Sequence, residues 1–432
     1  MVFNSTAFLF VFLPISLVFY YLALNLRGPR AALWVLTLVS IVFYGLWDWR
    51  FIPLLLASIF LNWHLGALLT KRPRGWLLAA GGALNIAPLS LFKYGEWVSG
   101  GVLPSFVLPL GISFYTFQQL AYLVDCYRRL TADRDGLRYS LFVCFFPQLV
   151  AGPIVHHREM TEQFKRLGER SAIDARRLSF ALWMIAAGLV KKVIVADNIA
   201  GVVNDAFLDP TNIGFADAWT GALGYTLQLY FDFSAYCEMA IGFALLFGFK
   251  IPVNFDAPYR STSITEFWRR WHITLGRWFR DYLYIPLGGN RHGQWRMYSA
   301  LLFTMLLAGL WHGAGWTFVL WGALHAIMLI THRLWRFTGI ALPVLAAWIT
   351  TMVGIVFSWV AFRADSVEDA FSIWKGMIGM GGTLPIGMTT MLMPLFLLFL
   401  LVTTRYLPNP QDMRLRPSPR WGAVVCGGIL LA

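Results

Sequence analysis

The sequence predicts an all-α membrane protein whose chain crosses the bilayer roughly ten to twelve times. Hydrophobic residues make up 58% of the 432 positions and charged residues only 13%, whereas soluble domains carry about 25% charged residues. Apolar runs long enough to span a bilayer recur from one end of the chain to the other. Because lipid offers the backbone no hydrogen-bond partner, such runs are expected to be helical, and the pattern is not the alternation of a β-barrel.

Four apolar runs open the chain, and each predicts a spanning helix. They lie at about residues 5–25, 31–47, 51–69 and 75–92. The loops after the first and third runs are strongly basic, which places them in the cytoplasm and the N-terminus outside. The first run lacks a basic n-region and an A-x-A site, so we expect a retained helix rather than a cleaved signal. A fifth run, at about 102–124, returns the chain to the cytoplasmic side.

Residues 139–155 form an apolar run that does not fit this alternation. Basic segments flank it on both sides, so both flanks are expected in the cytoplasm. The run is short, and Pro147 and Pro153 remove backbone donors within it. We therefore predict a re-entrant segment, whose irregular backbone would be buried in protein or line a cavity.

Runs at about 178–200 and 219–249 follow, separated by an acidic loop that is expected outside. Asp232 lies within the second run, where a charge is costly and usually faces a bundle interior or a wet cavity. Two interpretations stay open for this residue. It pairs with Lys191 or Lys192 of the preceding run, or it contributes to a functional cavity.

The C-terminal part adds further apolar runs and ends within one. They lie at about residues 297–311, 314–331, 341–362, 389–404 and 424–432. The last of them suggests a helix that continues beyond the given sequence. Since there is no soluble segment, low-complexity tract or clear repeat, we predict a single membrane domain over residues 1–432.

The net charge of +13 is explained by the positive-inside bias and by attraction to anionic lipid. No soluble basic domain exists to bind nucleic acid, so we expect no nucleic-acid partner. The cysteines, Cys126, Cys144, Cys237 and Cys426, have neither CxxC nor metal-ligand spacing. Three of them lie in or beside apolar runs and are expected to pack as small hydrophobic residues.

Residues 263–285 predict an amphipathic helix that lies in the membrane interface. At 100° per residue, the aromatic residues, Trp271 among them, gather on one face, whereas Arg269 and Arg270 lie on the opposite face. Anchoring to the inner leaflet explains the arginines. The alternative is that some of them contact phosphates of an anionic donor such as a coenzyme A thioester. His272 falls at the edge of the apolar face.

His312 lies in an apolar, glycine-rich stretch, Gly309–Gly315. An ionisable residue at membrane depth is a functional-site hypothesis by default. A buried neutral imidazole could remove the proton of a hydroxyl that attacks a thioester. The alternative is a structural histidine that hydrogen-bonds across helices. We expect no metal site, because no carboxylate cluster joins His312, His325 or His64 with ligand spacing.

Six stretches together resemble the membrane-bound O-acyltransferase (MBOAT) family, in its bacterial branch of polysaccharide O-acetyltransferases. The resemblance runs from the N-terminus to about residue 410 and shows no departure at either histidine. Its strongest pieces are Phe146–Ile154, Tyr230–Tyr236, Pro252–Tyr259, Phe267–His272, Tyr282–Asn290 and Gly309–Gly313.

The resemblance implies a ring of tilted helices around a central tunnel. It implies that His312 is the catalytic residue and that His272 is a second functional position. Acetyl groups from a cytoplasmic donor, expected to be acetyl-CoA, would cross the bacterial inner membrane. They would then pass to periplasmic partners, among them SGNH-type acetyltransferases, that modify an exopolysaccharide such as alginate. No bound cofactor is expected. Residues expected to bind the donor or line the tunnel are Trp271, Trp311, Asn254, Asp232, Arg269 and Arg270.

Two other functions stay open at this point. One is D-alanylation of teichoic acid, with an acyl-carrier thioester as the donor. The other is a non-enzymatic transporter or a scaffold of a secretion complex. A transporter would be expected to show paired repeats, and it would leave the two histidine motifs without a purpose.

Overall fold

The computed structural model describes residues 2–131, 133–168, 175–382, 388–413 and 427–428, and every regular element in these ranges is helical. This confirms the predicted all-α class. The final apolar stretch, 424–432, and Cys426 with it, lie almost wholly outside the described residues. Eighteen α-helices lie within the described ranges: α1 Leu13–Arg27, α2 Pro29–Asp48, α3 Ile52–Lys71, α4 Gly75–Val98, α5 Ile112–Tyr127, α6 Gly136–Cys144, α7 Phe146–Leu149, α8 His157–Lys165, α9 Ala175–Leu189, α10 Asp197–Leu208, α11 Phe215–Leu246, α12 Ile264–Arg270, α13 Ile273–Phe279, α14 Gln294–His312, α15 Trp316–Phe337, α16 Val344–Arg363, α17 Val367–Met377 and α18 Met388–Thr404.

Seven helical segments of the described chain are long and apolar enough to cross a membrane, so this is a multi-pass membrane protein. They are Phe8–Arg27, Pro29–Lys71, Gly75–Val98, Ala175–Leu208, Phe215–Leu246, Trp316–Phe337 and Val344–Arg363. The second has 43 residues, about twice the length that one crossing needs. Asp48, with extended backbone (φ −160°, ψ 108°), divides it into α2 and α3. Helices such as α5 and α18, with 16 and 17 residues, are shorter than these seven segments.

The fifth apolar run begins later than the sequence predicts. Helix α5 starts at Ile112 rather than near residue 102. Residues 102–109 contain Pro104 and Pro109 and are not helical, because a proline lacks the backbone donor that a helix interior requires.

The acidic loop before α11 is shorter than predicted. Helix α10 extends to Leu208, and its buried residues Ile199, Val203 and Phe207 recur every four positions. That spacing is one face of an α-helix, which explains why the segment is helical despite its acidic residues. Helix α11 then runs for 32 residues from Phe215.

The segment predicted to be re-entrant is broken into α6 and α7 at Phe145 (φ −50°, ψ 106°). Its two flanks meet. Lys165 Nζ lies 3.2 Å from an Asp133 carboxylate oxygen, and Thr131 Oγ1 lies 3.0 Å from His157 Nδ1. The residues that flank this segment therefore contact each other, while its re-entrant path stays a prediction. Its depth in a membrane stays a prediction.

The described residues form two compact units. One combines the chain up to Leu189 with Tyr236–Pro252, and the other combines Val190–Ala235 with Val253–Met413. Aromatic rings pack together in the core of the first unit, where the Phe3 and Tyr236 ring centroids lie 4.6 Å apart. The second unit contains both motif histidines. The single-domain organisation stays a prediction.

Candidate functional site

The basic-aromatic segment 263–285 is not one helix, which corrects the predicted continuous helix. It consists of α12, α13 and a π-helical turn, Arg280–Tyr284. The break falls at His272, whose backbone is left-handed (φ 44°, ψ 51°). Non-glycine residues rarely adopt this conformation, and when they do the site is often functional. A helical periodicity that resumes after one residue does not reveal such a break. The interfacial position stays a prediction.

The aromatic face of this segment is covered by protein side chains. Trp271 and Trp278 are 3% and 8% exposed. The Trp271 ring lies 5.0 Å from both Phe255 and Trp359, between ring centroids. The tryptophans of this face therefore form part of the core of the second unit.

His272 is held by Asn254, and both side chains are 1% exposed. The Asn254 Oδ1 atom accepts hydrogen bonds from the Thr274 backbone N–H at 3.1 Å and from the Thr274 hydroxyl at 2.9 Å. Because a backbone N–H only donates, the accepting atom is the amide oxygen. His272 Nδ1 lies 3.3 Å from the same oxygen and therefore carries its proton.

The other ring nitrogen of His272 then bears the lone pair. Nε2 is buried and has no hydrogen-bond partner among the residues that the structure describes. Burial lowers the pKa of His272 to about 3, so the imidazole is neutral at physiological pH. A buried acceptor without a partner is costly in a folded protein. A hydrogen-bond donor on a bound substrate could supply the missing partner of this nitrogen.

His312 is the last residue of α14 and is half-buried. Its ring lies 5.2 Å from Trp321 and 5.0 Å from Phe362, between ring centroids. The sequence predicts a buried His312, whereas in the structure the residue is only half-buried; its depth in a membrane stays a prediction. His272 is the deeper of the two motif histidines.

The Trp311 ring contacts both motif histidines. Its ring is 6.1 Å from the His272 ring and 4.8 Å from the His312 ring. The structure therefore brings together residues from α12–α13 and α14 that are 40 positions apart (272 and 312). Glycines allow the close approach of α14 to α15, since a Cβ atom on Gly309 would overlap the carbonyl oxygen of Phe318.

The two arginines predicted to bind the donor have different surroundings. Arg270 pairs with Asp256 at 3.1 Å and with Glu266 at 3.0 Å. Arg269 is exposed. Since Arg270 is already paired with two carboxylates, it is a poor candidate for a phosphate contact.

Asp232 forms an ion pair with Lys192 at 2.7 Å, and Lys192 also contacts Asp197 at 2.8 Å. Lys191 lies over the Tyr230 ring at 5.8 Å. The pairing interpretation of Asp232 is therefore confirmed, whereas its role in a tunnel stays a prediction.

His325 is a member of this region that sequence reasoning considered only as a metal ligand. It is fully buried. Trp268 Nε1 donates to its Nδ1 at 3.3 Å, so Nε2 carries the proton and donates to Ser358 Oγ at 2.9 Å. The Ser358 hydroxyl donates in turn to the Ile355 carbonyl at 2.7 Å. With both nitrogens bonded, His325 joins α12, α15 and α16. The sequence feature that could have indicated this structural role is a histidine within the apolar helix α15.

No group of three or more His, Cys, Asp or Glu side chains comes together among the described residues. Cys126, Cys144 and Cys237 are buried and outside any disulfide, as expected of small hydrophobic residues.

The apolar spanning segments define the class of this protein as a multi-pass, helical membrane protein. A family model described as "MBOAT, membrane-bound O-acyltransferase family" matches residues 127–372, which include both histidines. The chain belongs to this family, and this confirms the predicted enzyme class, a membrane-bound acyltransferase.

Three relatives illustrate the similarity. The peptidoglycan O-acetyltransferase of Helicobacter pylori is 40% identical over 429 residues, covering 88% of this chain and 80% of the relative. The probable alginate O-acetylase AlgI of Azotobacter vinelandii is 40% identical over 404 residues, covering 88% and 79%. A teichoic acid D-alanyltransferase of Streptococcus thermophilus is 25% identical over 349 residues, covering 76% and 82%.

Proposed function

We propose that this enzyme is an O-acetyltransferase that moves acetyl groups from a cytoplasmic thioester, acetyl-CoA, for the O-acetylation of a glycan outside the cytoplasm. The observation that carries the proposal is that His272 and His312 both contact the Trp311 ring, at 6.1 and 4.8 Å between ring centroids. His272 has a buried nitrogen that can accept a hydrogen bond, whereas His312 is only half-buried, so we assign the two histidines different roles. The names of the relatives at 40% identity support acetyl as the group transferred.

His312 acts as the general base. Its imidazole takes the proton of an attacking hydroxyl while that oxygen bonds to the thioester carbonyl carbon. The carbon–sulfur bond then breaks, and the departing thiolate receives the proton from the imidazolium. Proton, acyl group and leaving group are thereby balanced, and the products are an ester and a free thiol.

His272 orients a reactant rather than removing its proton. An ideal general base has a pKa near the working pH, and burial lowers the pKa of His272 to about 3. Its Nε2 lone pair is suited to accept a hydrogen bond from the acetyl donor or from the acetyl-accepting substrate. Asn254 keeps that lone pair available by holding the proton on Nδ1.

The glycan is a polymer outside the inner membrane. The family resemblance favours alginate, and the relatives at 40% identity are named for peptidoglycan as well as alginate. Both are therefore acceptors to test. We place the enzyme in the bacterial inner membrane with its N-terminus in the periplasm, and we expect periplasmic SGNH-type acetyltransferases as partners. D-alanyl transfer from a carrier protein is the second candidate, since such relatives share 25% identity.

The test measures the release of free coenzyme A from labelled acetyl-CoA by purified enzyme in lipid nanodiscs, supplied with its acceptor. We expect His312→Ala to lower turnover at least about a hundredfold, within the usual contribution of a general base, with donor binding retained. His272→Ala is expected to lower both turnover and reactant binding. The control is His64→Ala, since His64 is exposed and bonded to its own helix at Phe60.

Full turnover in His312→Ala would overturn the base assignment. Equal losses in His64→Ala would show that any histidine replacement damages the enzyme. A carrier-protein D-alanyl thioester is assayed in parallel, and its use in preference to acetyl-CoA would replace acetylation by D-alanylation.

A further inference from the structure

A cavity of about 470 Å³ opens in the first unit, where the basic flanks of α6 and α8 meet. Its volume lies within the range of small-molecule sites, about 300–1,000 Å³. Four cations line it, Arg134, Arg138, Arg158 and Lys165. The function proposed above makes no use of this cavity.

The carboxylates that line the cavity are already paired. Asp133 accepts two hydrogen bonds from Arg138, both at 2.9 Å, and lies 3.2 Å from Lys165 Nζ. Burial by itself would raise the pKa of the Asp133 carboxyl. The hydrogen bonds from Arg138 and from the Asp135 backbone N–H have the larger combined effect and lower this pKa to about 2. Asp133 is therefore ionised and neutralises part of this positive charge.

Asp135 is also fully engaged. Its side chain caps α6 by accepting the backbone N–H groups of Leu137 and Arg138, at 3.0 and 3.1 Å. Arg30 and Arg138 lie 3.3 and 3.4 Å from its other oxygen. The third carboxylate, Glu162, contacts Lys165 at 3.1 Å.

Two cations are left over at the cavity. Arg134 and Arg158 are exposed, and neither has a carboxylate at ion-pair distance in the described part of the chain. With Arg30 counted, five cations meet three carboxylates among the described residues at the cavity, which is an excess of two positive charges. Guanidinium groups present a planar fork of donors that matches phosphate oxygens.

We propose that this cavity binds a phosphate-bearing anion through Arg134 and Arg158. Two sources share this chemistry: the nucleotide part of a coenzyme A thioester and the head group of an anionic phospholipid. The nucleotide source rests on the proposed function, whereas the phospholipid source does not. The site differs from the expected one at Arg270, which is already paired with carboxylates.

The test uses the full chain, purified into nanodiscs of phosphatidylcholine, which has no net charge. Two probes are titrated separately, unacylated coenzyme A and a short-chain phosphatidylglycerol. The variants are Arg134→Gln, Arg158→Gln and the double variant. The matched control is Arg166→Gln, which removes the same charge from an exposed arginine beside Lys165 that does not line the cavity.

We expect each single variant to weaken the bound probe about threefold to fivefold and the double variant at least about tenfold, because charge-assisted contacts at an exposed site are partly screened. The control should change affinity less than about twofold. Weakened coenzyme A binding assigns the nucleotide, and weakened phosphatidylglycerol binding assigns the head group. If neither probe binds, or if Arg166→Gln weakens binding as much as the cavity variants, the proposal is overturned.

The binding assay contains no acceptor and needs no turnover, so its outcome is independent of the histidine variants. Thermal unfolding of each arginine variant checks that the fold is intact. The two single variants keep the assay decisive if the double variant does not fold.

Discussion

Replacing Asn254 by alanine tests how His272 is prepared for its task. The substitution removes one oxygen that accepts three hydrogen bonds, from the Thr274 N–H, the Thr274 hydroxyl and His272 Nδ1. Each is worth about 1 kcal/mol net, so the free energy of unfolding should fall by about 3 kcal/mol. Nδ1 also loses its acceptor, so the proton can move to Nε2 and block the lone pair.

The loss of the lone pair should reduce turnover beyond the loss of folded protein. A hydrogen bond of about 1–2 kcal/mol to the reactant corresponds to about a fivefold to thirtyfold decrease in rate. The assay measures coenzyme A release per folded molecule, with folded protein quantified by thermal unfolding in detergent.

Asn85 provides a matched control in the first unit. It is 4% exposed and also takes part in three hydrogen bonds, two with Asn62 at 2.7 and 3.1 Å and one to the Gly81 carbonyl at 2.7 Å. Asn85→Ala should therefore cost similar stability and leave turnover per folded molecule near the wild-type value. Equal turnover losses in the two variants, or unchanged turnover in Asn254→Ala, would refute the assigned tautomer.

Three further predictions concern stability. Acid should destabilise the protein between pH about 6.5 and about 3. In this range the unfolded chain binds a proton at His272, whereas the folded protein does not, because burial lowers the pKa of His272 to about 3. His272→Gln should therefore weaken the dependence of the free energy of unfolding on pH. Trp268→Phe removes the indole donor to His325 and should lower the free energy of unfolding by about 1 kcal/mol. Gly309→Ala, whose Cβ would overlap a carbonyl of α15, should cost about 3 kcal/mol or abolish folding, whereas Gly82→Ala, in open space on α4, should be neutral or stabilising.

Each of these has a clear contrary outcome. An unchanged acid profile in His272→Gln would assign the proton uptake to another group. A stable Trp268→Phe would show that the indole hydrogen bond is replaceable by water. A Gly309→Ala variant that folds with the free energy of unfolding of the wild type would contradict the close contact between α14 and α15.

The predicted helices show how far local pattern carries. Long apolar runs predict α2 and α3 to within two residues at each end, because a helix in lipid needs about 20 consecutive apolar residues whatever it packs against. The fifth apolar run shows the limit of hydropathy, since it predicts a helix from about residue 102 although Pro104 and Pro109 lie within it. In the structure the missing backbone donors outweigh the hydropathy, and residues 102–109 are not helical.

The site shows where local pattern fails. The motifs around His272 and His312 mark both histidines in the sequence, and the ion pair of Asp232 with Lys192 was one of the interpretations considered. The break at His272 was not predicted, since the residues on either side keep a helical spacing. Nor was the difference in burial between His272, which is buried, and His312, which is half-buried.

The sequence by itself therefore determined the membrane class, the positions of most helices and the two histidine motifs, because hydropathy and motif spacing are properties of consecutive residues. Only the tertiary structure decided the tautomer of His272, the pairing of Arg270 with Asp256 and Glu266, and the locked His325. Each depends on side chains up to 57 positions apart in the chain. Hydrogen bonds and ion pairs form between neighbours in space, and folding chooses those neighbours.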